Sequence, residues 1–285
     1  MWQSHHFFLY DFEQMNHCLA TVAASVDHSL LDDLFFIRYW HGGPHLRFRV
    51  RAHADIQPLL TELNTYWRQH GQPLTLDAEN YYRPYRHQFS GDEGDILYPN
   101  GSIQAIDYQP EYTRYGGEYG MPYCEQFFCE DSRRILTYLS QSPEENERVM
   151  FMLSIAYQDV AAEFGLNGLS LLHIEGAHAT TQSTLVAEKV RQKFEANRPA
   201  YQQYYQHYVT EFQHDANIQQ LKQSLRTLIS SLQRGPVGAI EPILHSLLHM
   251  TFNRLGVPPF KESAIRFFVY LTLLHFGGTD ERQAS

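Results

Sequence analysis

The spacing of apolar and polar positions changes character near residue 130. Before it, apolar, aromatic and β-branched stretches such as Phe35–Trp40 and Leu46–Val50 are cut by HGGP, SGDEGD, YPNG and RYGGEYG. That is the text of strands and turns. One helix interrupts at about 54–70, where Ile56, Leu59, Leu60, Leu63 and Trp67 recur at helical spacing, and another is read near 11–24. From residue 131 the period becomes helical. Asp131-Ser132 precedes a periodic stretch, and Ser142-Pro143-Glu144-Glu145 supplies an N-cap serine, a first-turn proline and early glutamates. Helices are predicted at about 143–164, 181–212, 216–233, 237–255 and 261–275, with Gly256 and Pro258-Pro259 stopping the fourth. The tail 277–285 is expected to fray. No repeat or low-complexity linker divides the chain. The pattern predicts one α+β domain over 1–285, an antiparallel sheet from a strand-rich part (1–130) packed with a mostly helical part (131–276).

The most informative segment is DLFFIRYWHGGPHLRFRV, which reads as two strands joined by His41-Gly42-Gly43-Pro44. At a period of two, Leu46, Phe48 and Val50 face a core, while His45, Arg47, Arg49 and Arg51 share the other face at roughly 7 Å spacing. Like charges on one face repel. Either neighbouring carboxylates offset them, as on an ordinary solvated face, or an anionic ligand does, since a guanidinium fork fits carboxylate and phosphate.

Composition sharpens that choice. With 285 residues, 43% hydrophobic and 14% aromatic, the chain can bury a substantial core. A formal net charge of −10 argues against a dedicated nucleic-acid binder, so the cationic strand is a local device on an acidic body. Three cysteines, Cys18, Cys124 and Cys129, are an odd number without CxxC spacing, which suits a reducing cytoplasm. No signal peptide is read, and no apolar run reaches the roughly 18 residues of a membrane span.

Two further patches carry candidate chemistry. DYQPEYTRYGGEYG places Arg114 and Tyr115 before Gly116-Gly117, a pair that permits positive φ; its plainer reading is a Tyr-rich loop with an Arg–Glu pair. HSLLHMTFNRLG puts His245, His249 and Asn253 on one helical face. The HxxxH spacing invites a metal, but no third ligand and no HExxH glutamate accompany it, so none is expected. A histidine there can instead exchange a proton near neutral pH.

FFIRYWHGGPHLRFRV, YQPEYTRYGG followed by EQFFCEDS, and LLHMTFNRLG, in this order, resemble the C-terminal glutamate-elimination domain of lantibiotic dehydratases. The same domain occurs as a separate chain in thiopeptide-type bacteriocin biosynthesis. The resemblance covers about residues 2–275. It implies a lyase that acts on Ser or Thr of a precursor peptide already esterified with glutamate. The α-proton is removed and glutamate expelled, leaving dehydroalanine or dehydrobutyrine. Family members use arginines of the HLRFR strand, the arginine before YGG, and the histidine of the HMxxNRL helix, here Arg47, Arg49, Arg114 and His249. His45, Arg51, Tyr115, Asn253 and Arg254 in the same motifs are then expected to contact substrate. No cofactor is implied. Longer members carry a glutamylation domain that this sequence lacks, so a separate glutamylating protein, itself using glutamyl-tRNA, is the expected partner, with no direct tRNA binding by this chain. A homodimer is compatible with the sequence. Related stand-alone proteins instead join two dehydroalanines into a pyridine ring, and a non-catalytic peptide-binding scaffold is a third reading.

Overall fold

The hairpin forms where the alternation predicts it. In a computed structural model, which describes residues 1–84, 96–141, 146–173 and 181–277, four strands make one sheet: β1 (Trp2–Phe8), β2 (Leu34–Tyr39), β3 (His45–Arg51) and β4 (Ile103–Ala105). Their order is β2-β3-β1-β4, and every pairing is antiparallel. Gly42 and Gly43 hold φ of 92° and 103° at the β2–β3 turn, a region that only glycine enters without strain. The helices are α1 (Phe12–Ser25), α2 (His28–Asp32), α3 (Gln57–His70), α4 (Ala78–Tyr82), α5 (Gly117–Gln141), α6 (Asn146–Glu163), α7 (Thr181–Ala196), α8 (Arg198–Thr210), α9 (Ala216–Gln233), α10 (Glu241–Leu255) and α11 (Pro259–Phe276). The class is α+β. No helix among the described residues is long and apolar enough to cross a membrane.

The chain groups into two compact units. Unit 1 is Met1–Pro110, Phe128–Pro143 and Asn253–Gly256; unit 2 is Glu111–Phe127, Glu144–Phe252 and Val257–Ser285. In unit 1 one sheet face carries Leu46, Phe48 and Val50 of β3 beside Phe36 of β2 and Phe7 of β1, all fully buried. Arg38 shares that face and donates from Nη2 to Asn16 Oδ1 on α1 at 2.7 Å. Asp11 caps α1, accepting from the amides of Glu13 and Gln14. In unit 2, α6 is apolar nearly all round, with Val149 to Tyr157 buried without a break, as a central helix must be. It packs against α9 and α11, while Phe194 of α7 and Phe267 and Leu271 of α11 form a second buried cluster.

Several boundaries differ from the sequence reading, each for a local reason. The 181–212 segment is two helices, because Pro199 sits in the first turn of α8 and cannot continue α7. Residues 117–130, read as turn and strand, are the first half of α5. Asp131 and Ser132 therefore lie inside a helix, fully buried, rather than capping one. The short helices α2 and α4 and the strands β1 and β4 were not anticipated. The SGDEGD turn, the Ser142–Glu145 helix start and nearly all of the 277–285 tail lie outside the described residues.

Candidate active site

β3 is the second strand of four, so both its edges are paired. His45 is fully buried and Arg49 is 6% exposed. Arg47 and Arg51 are half-buried, so the cationic face is part interior and part solvated. Register places His6 of β1 opposite Arg47 and Ser4 opposite Arg49; across β2, Phe35 faces Arg49 and Tyr39 faces His45. Aromatic rings receive the guanidiniums. Arg47 Cζ lies 3.5 Å from the Tyr39 centroid, Arg49 Cζ 4.8 Å from Tyr108 and 5.4 Å from Phe35, and Arg51 Cζ 4.8 Å from Trp2. Arg51 also pairs with Asp33 at 3.4 Å, so its charge is offset at the strand end.

The imidazoles on this face are held neutral. Arg47 Nε donates to His45 Nε2 at 3.0 Å, which places the His45 proton on Nδ1, from where it is donated to the Gly43 carbonyl at 2.7 Å. Burial, followed by the Arg47 and Arg49 charges, pulls His45 down to about 3, with the Gly43 bond opposing. His6 stacks on His45 with centroids 4.9 Å apart. It is pulled to about 2, by burial first and then by Arg47, His45 and Arg49. His6 Nε2 and Ser4 Oγ are buried without a hydrogen bond among the described residues. Sequence reasoning missed both. Their one signal was position, since any strand laid antiparallel beside HLRFR adds its alternate side chains to the cationic face.

Asn253 and Arg254 sit at the open edge of β2. The outward amide of Phe36 donates to Ser132 Oγ (3.1 Å), and the Phe36 carbonyl accepts from Arg254 Nε (3.0 Å). Asn253 closes the next position, accepting from the Arg38 amide and donating to the Arg38 carbonyl at 2.9 Å each. Arg254 continues to Asp131 (2.9 Å), which also pairs with Arg134 (2.8 Å). Side chains thereby satisfy an edge strand's free backbone groups. The Arg254 guanidinium, fully buried, is committed to that edge.

In unit 2, Arg114 lies on a short 3-10 turn, Tyr112–Tyr115, ended by Gly116 and Gly117 at φ of 81° and 73°. It forms the Arg–Glu pair of the plainer reading, with Glu111 at 3.1 Å, and remains 37% exposed, while Tyr115 is buried. His245 keeps an exposed surface yet is held below the ordinary imidazole range. Desolvation by surrounding protein contributes most; Arg266, His249 and Arg114 also lower it, and Glu262 opposes. His249 Nδ1 lies 2.7 Å from Glu262 Oε2, and the other Glu262 oxygen lies 2.5 Å from Arg266 Nη2. Glu262 and Arg266 are buried, whereas the His249 side chain is 35% exposed. Burial lowers the Arg266 pKa, and Glu262 opposes that shift. Arg114 is close enough to act on His245, and His249 is bonded to a buried acid that sequence reasoning missed. The spacing of Glu262 and Arg266, four apart just after Pro258-Pro259, was the available signal. Among the described residues no three His, Cys, Asp or Glu side chains gather as a metal set. All three cysteines are free and buried.

The chain is similar in sequence and in fold to known proteins. The family model described as "Lantibiotic biosynthesis dehydratase C-term" matches residues 2–273. Pyridine synthase TbtD from thiomuracin biosynthesis is similar in structure, with TM-score 0.73 at 15% identity over 97% of this chain and 99% of that one. The tRNA-dependent lantibiotic dehydratase MibB from Microbispora sp. 107891 gives TM-score 0.60 at 16% identity; 99% of this chain is covered, but 28% of MibB. TsrL gives TM-score 0.60 at 16% identity over 96% and 95% of the two chains. No curated protein matches the sequence. At such identities the structural likenesses establish the fold alone, and it is the family model, matching nearly end to end, that shows the chain to belong to the lantibiotic biosynthesis dehydratase C-terminal family.

Proposed function

We propose that this chain eliminates glutamate from glutamylated Ser or Thr residues of a precursor peptide, in concert with a separate glutamylating protein. The observation that carries the reading is the β3 face, where Arg47 and Arg49 stand side by side on a central strand against two neutral imidazoles. In the reaction a base takes the α-proton, the Cα–H electrons become the Cα=Cβ bond, and the Cβ–O bond breaks. The departing glutamate gains a carboxylate. Arginines held rigidly in a low-dielectric interior stabilise that developing charge more than mobile surface cations would. Arg47, Arg49 and Arg114 are assigned to the glutamate and its departing charge, and His249 to proton transfer. Asn253 and Arg254 support the reaction by fixing β2, against which β3 is registered. His45 sets the Arg47 orientation, and Arg51 and Tyr115 complete the surroundings.

The test is a synthetic or enzymatically glutamylated peptide. Incubation with the protein should release free glutamate with the mass loss of elimination. Arg49→Ala, Arg114→Ala and His249→Ala should accumulate the glutamyl ester, each with a rate loss on the order of 100-fold or more. Fully dehydrated product from Arg114→Ala and His249→Ala would refute the assignment. The alternative is pyridine-ring formation, favoured by the full-length structural likeness to TbtD. It predicts unjoined dehydroalanines, and no glutamyl ester, from the same variants.

A further inference from the structure

We infer that Glu262 is the positioning residue that makes His249 a base, with Arg266 fixing which way Glu262 can act. This inference deepens the proton-transfer role proposed for His249 and rests on it. The three groups form a line: Arg266 Nη2 on one Glu262 oxygen (2.5 Å), His249 Nδ1 on the other (2.7 Å). A carboxylate only accepts, so the His249 proton must sit on Nδ1. The lone pair of Nε2 is thereby left for the substrate proton. This is the tautomer that an α-proton abstraction requires, and a carboxylate at Nδ1 also stabilises the imidazolium that results.

Arg266 is anchored independently of the histidine. It donates from Nη1 to the Leu171 carbonyl (3.0 Å) and from Nη2 to the His245 carbonyl (3.3 Å), and its Cζ lies 5.5 Å from the Phe252 ring. Glu262 lies in the first turn of α11, where a carboxylate is favoured by the helix dipole. Arginine has no acceptor. In Glu262→Gln the amide oxygen must therefore turn to Arg266, and its NH2 group must face His249 Nδ1. That orientation reverses the tautomer, moving the His249 proton to Nε2 and closing the one lone pair that can accept. A salt bridge that merely ties α10 to α11 makes no such demand.

The experiment reads the tautomer directly. Nitrogen-15 spectra of imidazole-labelled protein, wild type against Glu262→Gln, need no substrate. The expected result is Nδ1–H for His249 in the wild type and Nε2–H in the variant. Glutamate release from glutamylated peptide should fall about 100-fold in kcat with little change in KM. Glu262→Asp, which keeps the charge, should recover part of that loss and restore the wild-type tautomer. Should Glu262→Gln fold poorly, the double variant Glu262→Gln, Arg266→Met removes the uncompensated cation. Its amide is no longer directed, so its His249 should show a mixture of tautomers. An unchanged His249 tautomer in Glu262→Gln overturns the inference. The expected tautomer switch in a protein whose wild type releases no glutamate would instead overturn the elimination reading alone.

Discussion

Arg254→Ala should strongly destabilise the sheet unit, whatever it does to catalysis. In the folded chain Nε stands 3.0 Å from both the Phe36 carbonyl and Ser132 Oγ, and Nη1 stands 2.9 Å from Asp131 Oδ2, all in the interior. Truncation leaves the Phe36 carbonyl without its donor, a loss of about 1–3 kcal/mol for a buried group. It also removes one of the two arginines of buried Asp131. Breaking such a pair from one side costs about 3–5 kcal/mol, and the Arg134 that remains argues for the lower end. The terms overlap, so a net loss of about 3–5 kcal/mol is expected, a large share of a typical 5–15 kcal/mol. Trp2, Trp40 and Trp67 are the three tryptophans of the chain, and all lie in unit 1. Urea unfolding followed by tryptophan fluorescence therefore reports this unit. Asp131→Asn in the Arg254→Ala background should add less than it does alone, as a shared network requires. A fluorescence midpoint within about 1 kcal/mol of wild type, together with lost glutamate release, would refute the edge-clamp argument and return Arg254 to a substrate-contact role.

Other outcomes follow from the same geometry. His6 and His45 stay neutral in the fold, whereas unfolded imidazoles take up protons below about pH 6.5. The stability they contribute is thus fully present above that pH and is lost as pH falls, by roughly 2 kcal/mol per histidine at about pH 5; His6→Phe should flatten the acid limb of a Tm–pH curve, and an unchanged limb would count against the buried-neutral assignment. Gly256 holds φ of 77°, and a Cβ there would stand 3.0 Å from Arg38 Cζ, so Gly256→Ala should lower stability by about 1–3 kcal/mol in calorimetry. Glutamate release should survive chelators, since elimination as proposed needs no metal; loss of turnover restored by zinc would overturn that expectation.

The legible parts of the fold were those where one residue interval carries the whole signal. The β2–β3 hairpin could be read because alternation and two glycines agree over DLFFIRYWHGGPHLRFRV, and α3, α9 and α11 because their apolar positions recur without interruption. β1 was hidden because WQSHHFF shows no clean alternation, and with it went His6. The first half of α5 was hidden because Gly117, Gly120 and Pro122 depress helix propensity within its first six residues, while packing overrides them. Asp131 and Ser132 look like a helix start for a related reason. Short polar side chains favour caps, but here they serve a strand edge about a hundred residues earlier. The candidate site divides the same way. Arg47, Arg49, Arg114 and His249 stand in local motifs, whereas the pairing of Glu262 with His249 and the edge role of Arg254 depend on contacts between separate elements; the four-residue spacing of Glu262 and Arg266 alone does not point to them.

Counting lone pairs explains why His249, among the histidines of these two clusters, is the one assigned to proton transfer. An imidazole can take a proton only at a ring nitrogen whose lone pair is unengaged and whose cationic form is tolerated. His45 fails on the first point, because Arg47 Nε–H already occupies Nε2 and Nδ1 carries the proton given to Gly43. His6 fails on the second, since burial and two guanidiniums oppose a third cation beside them. His245 is opposed by desolvation and by Arg266, His249 and Arg114, with Glu262 the opposing influence. His249 differs from all three in its surroundings: its Nδ1 lies 2.7 Å from the Glu262 carboxylate, and its side chain is partly exposed. In the proposed reading the sheet arginines and the helical histidine take different parts. The sheet face suits fixed positive charge and keeps its imidazoles neutral, while α10 and α11 set a histidine against a buried carboxylate. The elimination proposed for this chain would need both properties at once, a cation that keeps its proton and a base that readily takes one up, and groups so different are most readily kept apart by placing them in different elements.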